Sequence, residues 1–229
     1  MTQNEILKNV DYTLLKQTAT CGDIQRILDF AIKNDCASAC IPPCFVPMAN
    51  YYVNGNISIC TVIGFPNGYM AKEVKEFEAK QAIEDGASEI DMVVNINHIK
   101  EGHYDIVLEE IKAIEKICQS HIVKVPLKVI IETCLLTKEE IKKMCEIVAF
   151  SGADYIKTST GFSTGGANFE DIQIIKNEMD KWNNNDYLKR MFPERDKIRI
   201  KASGGIKTFK DAEKYLMLGV DRIGTSGLS

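Results

Sequence analysis

The chain has 229 residues, 45% of them apolar, and a formal net charge of -4. That length exceeds an average domain of about 150 residues but suits one α/β barrel of about 250, and the apolar share allows a sizeable core. The mild acidity, with lysines spread along polar faces, excludes a nucleic-acid footprint, and no apolar run approaches the roughly 20 residues of a membrane span.

In chain order, Met1–Lys8 is polar and helical in character and lacks the apolar stretch of a signal peptide. The spacing then predicts strands over Val10–Leu15, Ala37–Ile41, Ile57–Ile63, Glu89–Val94, Leu127–Thr133, Tyr155–Thr158, Ile198–Ala202 and Asp221–Thr225. Several are rich in Val and Ile and apolar on both faces, as buried parallel strands are. Helices are predicted between them over Asp23–Asn34, Ala71–Asp85, Tyr104–Gln119, Lys138–Phe150, Phe169–Trp182 and Phe209–Leu218. Thr137 with Glu140 three residues on reads as a capping box, and Gly86, Gly152 and Gly219 each stand where a left-handed helix end is wanted. Trp182–Lys197, with its run of asparagines and Pro193, reads as an irregular surface excursion. No internal repeat or linker divides the chain, so residues 1–229 are expected to form one domain. Eight strands alternating with helices predict a closed parallel (β/α)8 barrel. An open doubly wound sheet would call for a Gly-x-Gly-x-x-Gly after the first strand, and there is none.

The cysteines lie in apolar runs without a Cys-x-x-Cys pair, and His98, His103 and His121 form no ligand motif. This pattern suits buried thiols in a reducing cytoplasm and gives no reason to expect a metal.

In barrels of this class the chemistry sits at the C-terminal ends of the strands. The polar residues near those ends are Asp11 and Thr13, Cys40, Asp91 and Asn95, Glu132 and Thr133, Lys157 to Thr160, and Lys201 with Ser203. Lys157 and Lys201 occupy near-identical settings, each closing an apolar run that breaks into small polar residues. Two cations around one cavity cannot both keep their protons cheaply, which is the electrostatic requirement for an amine nucleophile near neutral pH. Asp11 and Asp91 are expected to balance them at the barrel mouth. A structural ion-pair network without chemistry is the bland alternative. Gly204-Gly205 and the Gly224–Gly227 loop follow the last two strands, the recurrent phosphate site of such barrels. Gly161–Ala167 is small and polar, as a lid would be, although a plain connecting loop fits equally.

These segments resemble deoxyribose-phosphate aldolase, a class I aldolase family. The likeness runs through Asp11–Leu15, Ala39–Pro43, Thr61–Gly68, Glu89–Val94, Leu127–Thr133, Tyr155–Gly166, Ile200–Ile206 and Arg222–Ser226. It implies a (β/α)8 barrel that cleaves 2-deoxy-D-ribose 5-phosphate to glyceraldehyde 3-phosphate and acetaldehyde, with no metal and no cofactor. By resemblance, Lys157 is the Schiff-base lysine, Lys201 the lysine that perturbs it and Asp91 the acid–base aspartate working through a water. Asp11, Thr13, Cys40 and Thr160 fall on substrate-pocket positions. Gly161, Gly205, Ile206, Lys207, Gly224 and Ser226 fall at or near the phosphate site. Lys207 stands where an arginine is common, so a point contact replaces a bidentate grip. Gly227 stands where many members carry a serine. The chain ends at Ser229, short of a tail that in some relatives brings a tyrosine near the site, so lower turnover is expected. The partners implied are a phosphosugar and a second copy of the chain, as a homodimer or higher homo-oligomer. A phosphosugar isomerase or a non-catalytic phosphometabolite-binding barrel is the alternative.

Overall fold

The computed structural model describes residues 1–121 and 123–229. Eight parallel strands close on themselves in sequence order. They are β1 (Val10–Thr13), β2 (Ser38–Ile41), β3 (Ile59–Ile63), β4 (Glu89–Val93), β5 (Leu127–Ile130), β6 (Tyr155–Lys157), β7 (Arg199–Ser203) and β8 (Arg222–Thr225). The helices are α1 (Gln3–Leu7), α2 (Cys21–Lys33), α3 (Val46–Val53), α4 (Lys72–Glu84), α5 (Ile96–Lys100), α6 (Tyr104–Gln119), α7 (Lys138–Ser151), α8 (Phe169–Asn183), α9 (Asp186–Met191) and α10 (Phe209–Met217).

Local chemistry accounts for most of these boundaries. Thr137 caps α7 in a capping box with Glu140, and Thr20 caps α2 in another with Asp23. Gly86, Gly152 and Gly219 all have positive φ, as the helix ends before β4, β6 and β8 require. Three helices fall outside the sequence expectations. Pro47 sits in the first turn of α3, where its missing N–H costs nothing, so a proline that looks like a breaker is a starter. Asn95 caps α5, and Asn185 caps α9 inside the stretch read as irregular.

The strands differ from the sequence reading in one respect that matters for function. Outward-facing residues such as Ile90, Met92, Val129, Ile156 and Ile223 join the core packed under the helices. The inward face is charged. Glu89 and Asp91 on β4, Lys128 on β5, Lys201 on β7 and Asp11 on β1 are buried and contact one another across the lumen. These strands therefore alternate apolar-out and charged-in, rather than being apolar on both faces. Barrel lumens of this class are ordinarily filled with branched apolar side chains. Among the described residues, no helix is long and apolar enough to cross a membrane.

Candidate active site

Asp91, in the middle of β4, organises the lumen. Its Oδ2 accepts hydrogen bonds from Lys157 Nζ and Lys201 Nζ, each at 2.7 Å. Its Oδ1 accepts from Lys128 Nζ at 2.8 Å and from Cys60 Sγ at 3.2 Å. Lys201 is ion-paired to Asp11 at 2.5 Å, and Asp11 in turn takes Arg222 and the Ser38 hydroxyl. Lys128 also holds Glu89 at 2.6 Å. Lys157 and Lys201 are direct register partners on β6 and β7, which is why their ammonium groups meet at one carboxylate oxygen.

Burial by itself would push Asp11, Asp91, Lys128 and Lys201 toward their neutral forms, and the ion pairs override it. For Asp91, burial is outweighed by Lys128, Lys157 and Lys201, which hold its carboxyl well below the usual carboxylate range. Asp11 is likewise held low by Lys201, Lys128 and Arg222. Burial works to lower Lys201 and Lys128, but Asp11 and Asp91 hold Lys201 above the ordinary lysine range, and Asp91 and Glu89 do the same for Lys128. Lys201 is thus a fixed cation. Three carboxylates, Asp11, Glu89 and Asp91, face three cations, Lys128, Lys201 and Arg222, before Lys157 is counted.

Above this cluster lies a cavity of about 310 Å³. Lys157 reaches it from below with 3% exposure, while Asp11, Asp91 and Lys201 are at 0%. Of these four groups, only Lys157 meets the cavity. Its other walls include Thr13, Thr160, Gly161, Gly205, Ile206, Lys207, Gly224 and Ser226, all expected from the sequence, together with Lys16 and Ser203. Gly204 and Gly205 take consecutive positive φ values of 83° and 80°, a backbone that a side chain would strain. Among the described residues, no protein acceptor takes the N–H groups of Gly204, Gly205 or Ile206. Gly224 is needed for another reason: a Cβ there would stand 2.8 Å from Ser203 Cβ and 3.1 Å from Lys201 Cε.

Residues 6–229 match the model of the DeoC/LacD family aldolases. The chain belongs to that family. Two curated relatives, the deoxyribose-phosphate aldolases of Streptococcus agalactiae and Streptococcus pyogenes, are each 50% identical over 226 residues, spanning 99% of this chain and 93% of theirs. The tetrameric deoxyribose phosphate aldolase of Aeropyrum pernix is 28% identical with a TM-score of 0.85, covering 98% of this chain and 88% of its own. The aldolase QR15 is 35% identical with a TM-score of 0.86, covering 97% and 91%.

In this aldolase two of the expected pocket residues lie deeper than the sequence suggested. Asp11 and Cys40 are fully buried beneath the cavity and do not line it. Thr13 faces the same way as Asp11 but two residues nearer the strand end, and so reaches the cavity wall. Cys40 pairs in register with Cys60 in a small apolar cluster against Leu15 and Phe65. Of the four charges expected at the mouth, Asp11, Asp91 and Lys201 are in the lumen below it, Asp91 and Lys201 being mid-strand, and Lys157, which ends β6, reaches the cavity.

Sequence reasoning missed Lys128, Glu89 and Arg222 as partners in the cluster. Lys128 carried a usable signal: a lysine inside the apolar run Leu127–Ile131 is as anomalous as Lys157 or Lys201. A second cavity, of about 240 Å³, was also unforeseen. It lies over β3 to β5 between Pro66, Asn67, Ile96, Glu132 and Leu135, and it shares Thr160 and Phe162 with the first.

Proposed function

We propose that this aldolase reversibly cleaves 2-deoxy-D-ribose 5-phosphate to D-glyceraldehyde 3-phosphate and acetaldehyde through a Schiff base on Lys157. One observation carries the assignment of roles: Lys157 and the fixed cation Lys201 share a single oxygen of Asp91 at 2.7 Å each, and Lys157 alone of the three reaches the cavity. With Lys157 as an ammonium the cluster holds one more cation than carboxylates; with Lys157 as an amine it is balanced. The surplus proton is the one that the chemistry must remove.

The amine nitrogen attacks C1 of the open-chain aldehyde, and loss of water gives a protonated imine. The C2–C3 bond then breaks. Its electron pair flows into the iminium to give an enamine, while the C3 hydroxyl loses its proton and becomes the aldehyde of glyceraldehyde 3-phosphate. Protonation of the enamine at C2 and hydrolysis release acetaldehyde and the free lysine. We assign the proton traffic to Asp91 and Lys201 through a water. Asp91 is a weak base while three cations surround it. As the electron pair reaches the nitrogen, the iminium charge beside Asp91 vanishes and its basicity rises, so proton uptake is coupled to bond cleavage.

The phosphate is assigned to the N–H groups of the Gly204-Gly205 turn and the β8 loop, with Lys207 as a point charge. Thr13 and Thr160 are assigned to the sugar. A phosphosugar isomerase would use the same anion site but has no need of two lysines on one carboxylate. Borohydride reduction in the presence of acetaldehyde separates the readings. A stable mass gain on Lys157 is expected; an unmodified chain would overturn the assignment.

We also place the protein in the cytoplasm, in keeping with its free thiols, Cys36, Cys118 and Cys145 among them buried. We propose a homo-oligomer as well, a reading that the exposed aromatic side chains Tyr51 and Phe77 support.

A further inference from the structure

The mechanism makes no use of Glu132, yet the residue is held at a cost. It lies two residues past β5 with φ 52° and ψ 65°, a left-handed backbone that glycine adopts freely and a side chain resists. Among the described residues, the other non-glycine residues with positive φ are Asp35 and Asn54, types that tolerate it better. Its carboxyl is 3% exposed, and burial pushes it above the usual carboxylate range despite the hydrogen bonds it accepts from Thr160.

The compensation lies across the barrel seam. Both carboxylate oxygens accept from Thr160 N at 3.3 Å, and one also takes the Thr160 hydroxyl. Thr160 Oγ1 in turn accepts from Phe162 N at 3.0 Å. The Phe162 ring stands edge-on to Phe65, with centroids 5.2 Å apart and planes at 82°. A hydrogen-bonded chain therefore runs from β5 to the two residues that line both cavities. Beyond them the second cavity offers Pro66, Ile96 and Leu135 as apolar wall. Lys157 lines the first cavity and not the second, and Thr160 and Phe162 are common to both.

We infer that Glu132 is a positioning residue: by clasping Thr160 it fixes the partition between the two cavities and so keeps bulky, unphosphorylated aldehydes away from the nucleophile. The inference rests on the proposed aldolase reaction. Loosening the clasp joins the two cavities and admits an acceptor with a large apolar group. A merely structural role would lower turnover of all acceptors alike.

The test measures condensation of acetaldehyde with glyceraldehyde 3-phosphate and with benzaldehyde, which has no α-hydrogen and serves only as acceptor. Glu132→Gly removes the clasp and relieves the backbone together. Its benzaldehyde-to-phosphoaldehyde ratio of kcat/KM is expected to rise about tenfold or more over the unsubstituted enzyme, with borohydride trapping retained. Glu132→Gln keeps a carbonyl for Thr160 and is expected to bring the ratio most of the way back. An unchanged ratio in a folded Glu132→Gly variant that still traps acetaldehyde overturns the inference, as does a Glu132→Gln variant that behaves like Glu132→Gly. If Glu132→Gly does not fold, Glu132→Asn, which tolerates the left-handed backbone but carries a side chain one methylene shorter, withdraws the same clasp, and the same ratio decides. Failure of the unsubstituted protein to trap acetaldehyde would instead overturn the aldolase reading itself.

Discussion

The two sides of the barrel mouth are made from the same strand–loop repeat and carry opposite chemistry. Over β6, β7, β8 and β1 the wall adds glycines, hydroxyls and the lysines Lys16, Lys157 and Lys207 to the apolar Leu14, Leu15 and Ile206, with N–H groups of Gly204, Gly205 and Ile206 left without a protein acceptor among the described residues. Over β3, β4 and β5 the wall mixes apolar side chains with the carboxamides of Asn67 and Asn97 and the hydroxyls of Tyr69 and Ser163, with the buried Glu132 as its acidic group and, among the described residues, no lysine or arginine in its lining. An anion is attracted to the first side and repelled or ignored by the second. On the proposed reaction, a substrate with a phosphate at one end and an aldehyde at the other is oriented before it reacts, its charge assigned to β7 and β8 and its aldehyde to Lys157. Both sides stand on one lumen whose charges pair among themselves, so the polarity of the mouth is set by loops and not by the barrel.

The sharpest way to break this picture is at the nucleophile. Lys157→Ala is expected to abolish borohydride trapping and to lower kcat by about 10^4-fold or more, as loss of a covalent nucleophile does. A reduced adduct mapped by mass spectrometry to Lys201 would show that the cavity is served by the wrong lysine.

The asymmetry itself is tested by removing the anion. Each charge-assisted hydrogen bond contributes on the order of 1.5–3 kcal/mol, so unphosphorylated 2-deoxy-D-ribose should lose at least about 10^2-fold in kcat/KM if two such bonds go. Gly205→Ala, which strains a φ of 80°, should raise KM for the phosphorylated sugar while acetaldehyde trapping stays intact. Equal kcat/KM values for the two sugars would erase the distinction between the two sides.

A smaller effect separates the lumen from the mouth. Lys201→Leu removes a fixed cation from the oxygen that Lys157 shares. With that cation gone from the shared oxygen, kcat should fall, by less than in Lys157→Ala, while borohydride trapping on Lys157 persists. Full turnover in a folded Lys201→Leu variant would show that Lys201 acts otherwise.

The smallest effect expected is on stability. Asp11 and Asp91 lie below 3.8 in the folded chain, so their ion pairs stabilise it fully above that value and are lost as pH falls through the folded values. Lys128 and Lys201 are held above 10.5, so their contribution is present below that value and is lost only as pH rises through the folded values. Melting temperature should therefore be flat in these groups between about pH 5 and 9 and fall below about pH 4. A steep loss near pH 6 would point to a different cluster.

Much of this was legible from residues close together in sequence. Apolar runs of strand length, the Thr137–Glu140 capping box and the glycines after three helices gave the barrel order because they act within a few residues. Gly204-Gly205 and the β8 loop were legible as the proposed anion site for the same reason: the backbone freedom of glycine is a local property. The α3 and α9 helices were not, since Pro47 and Asn185 signal a break or a start according to what they pack against.

The sequence by itself determined where lysines interrupt apolar strands and where glycines cluster after them, and with that the residues proposed as nucleophile and anion loop. It did not determine which charges meet. Asp91 binds Lys128, Lys157 and Lys201 across separations of 37, 66 and 110 residues. Only closure of the sheet turns their side chains into one lumen, where low dielectric makes each pairing strong enough to hold three cations about a single carboxylate. The same closure buries Asp11 and Cys40 beneath the cavity and brings Glu132 against Thr160, because a strand's alternation fixes which way a side chain points but only the barrel fixes how deep it lies.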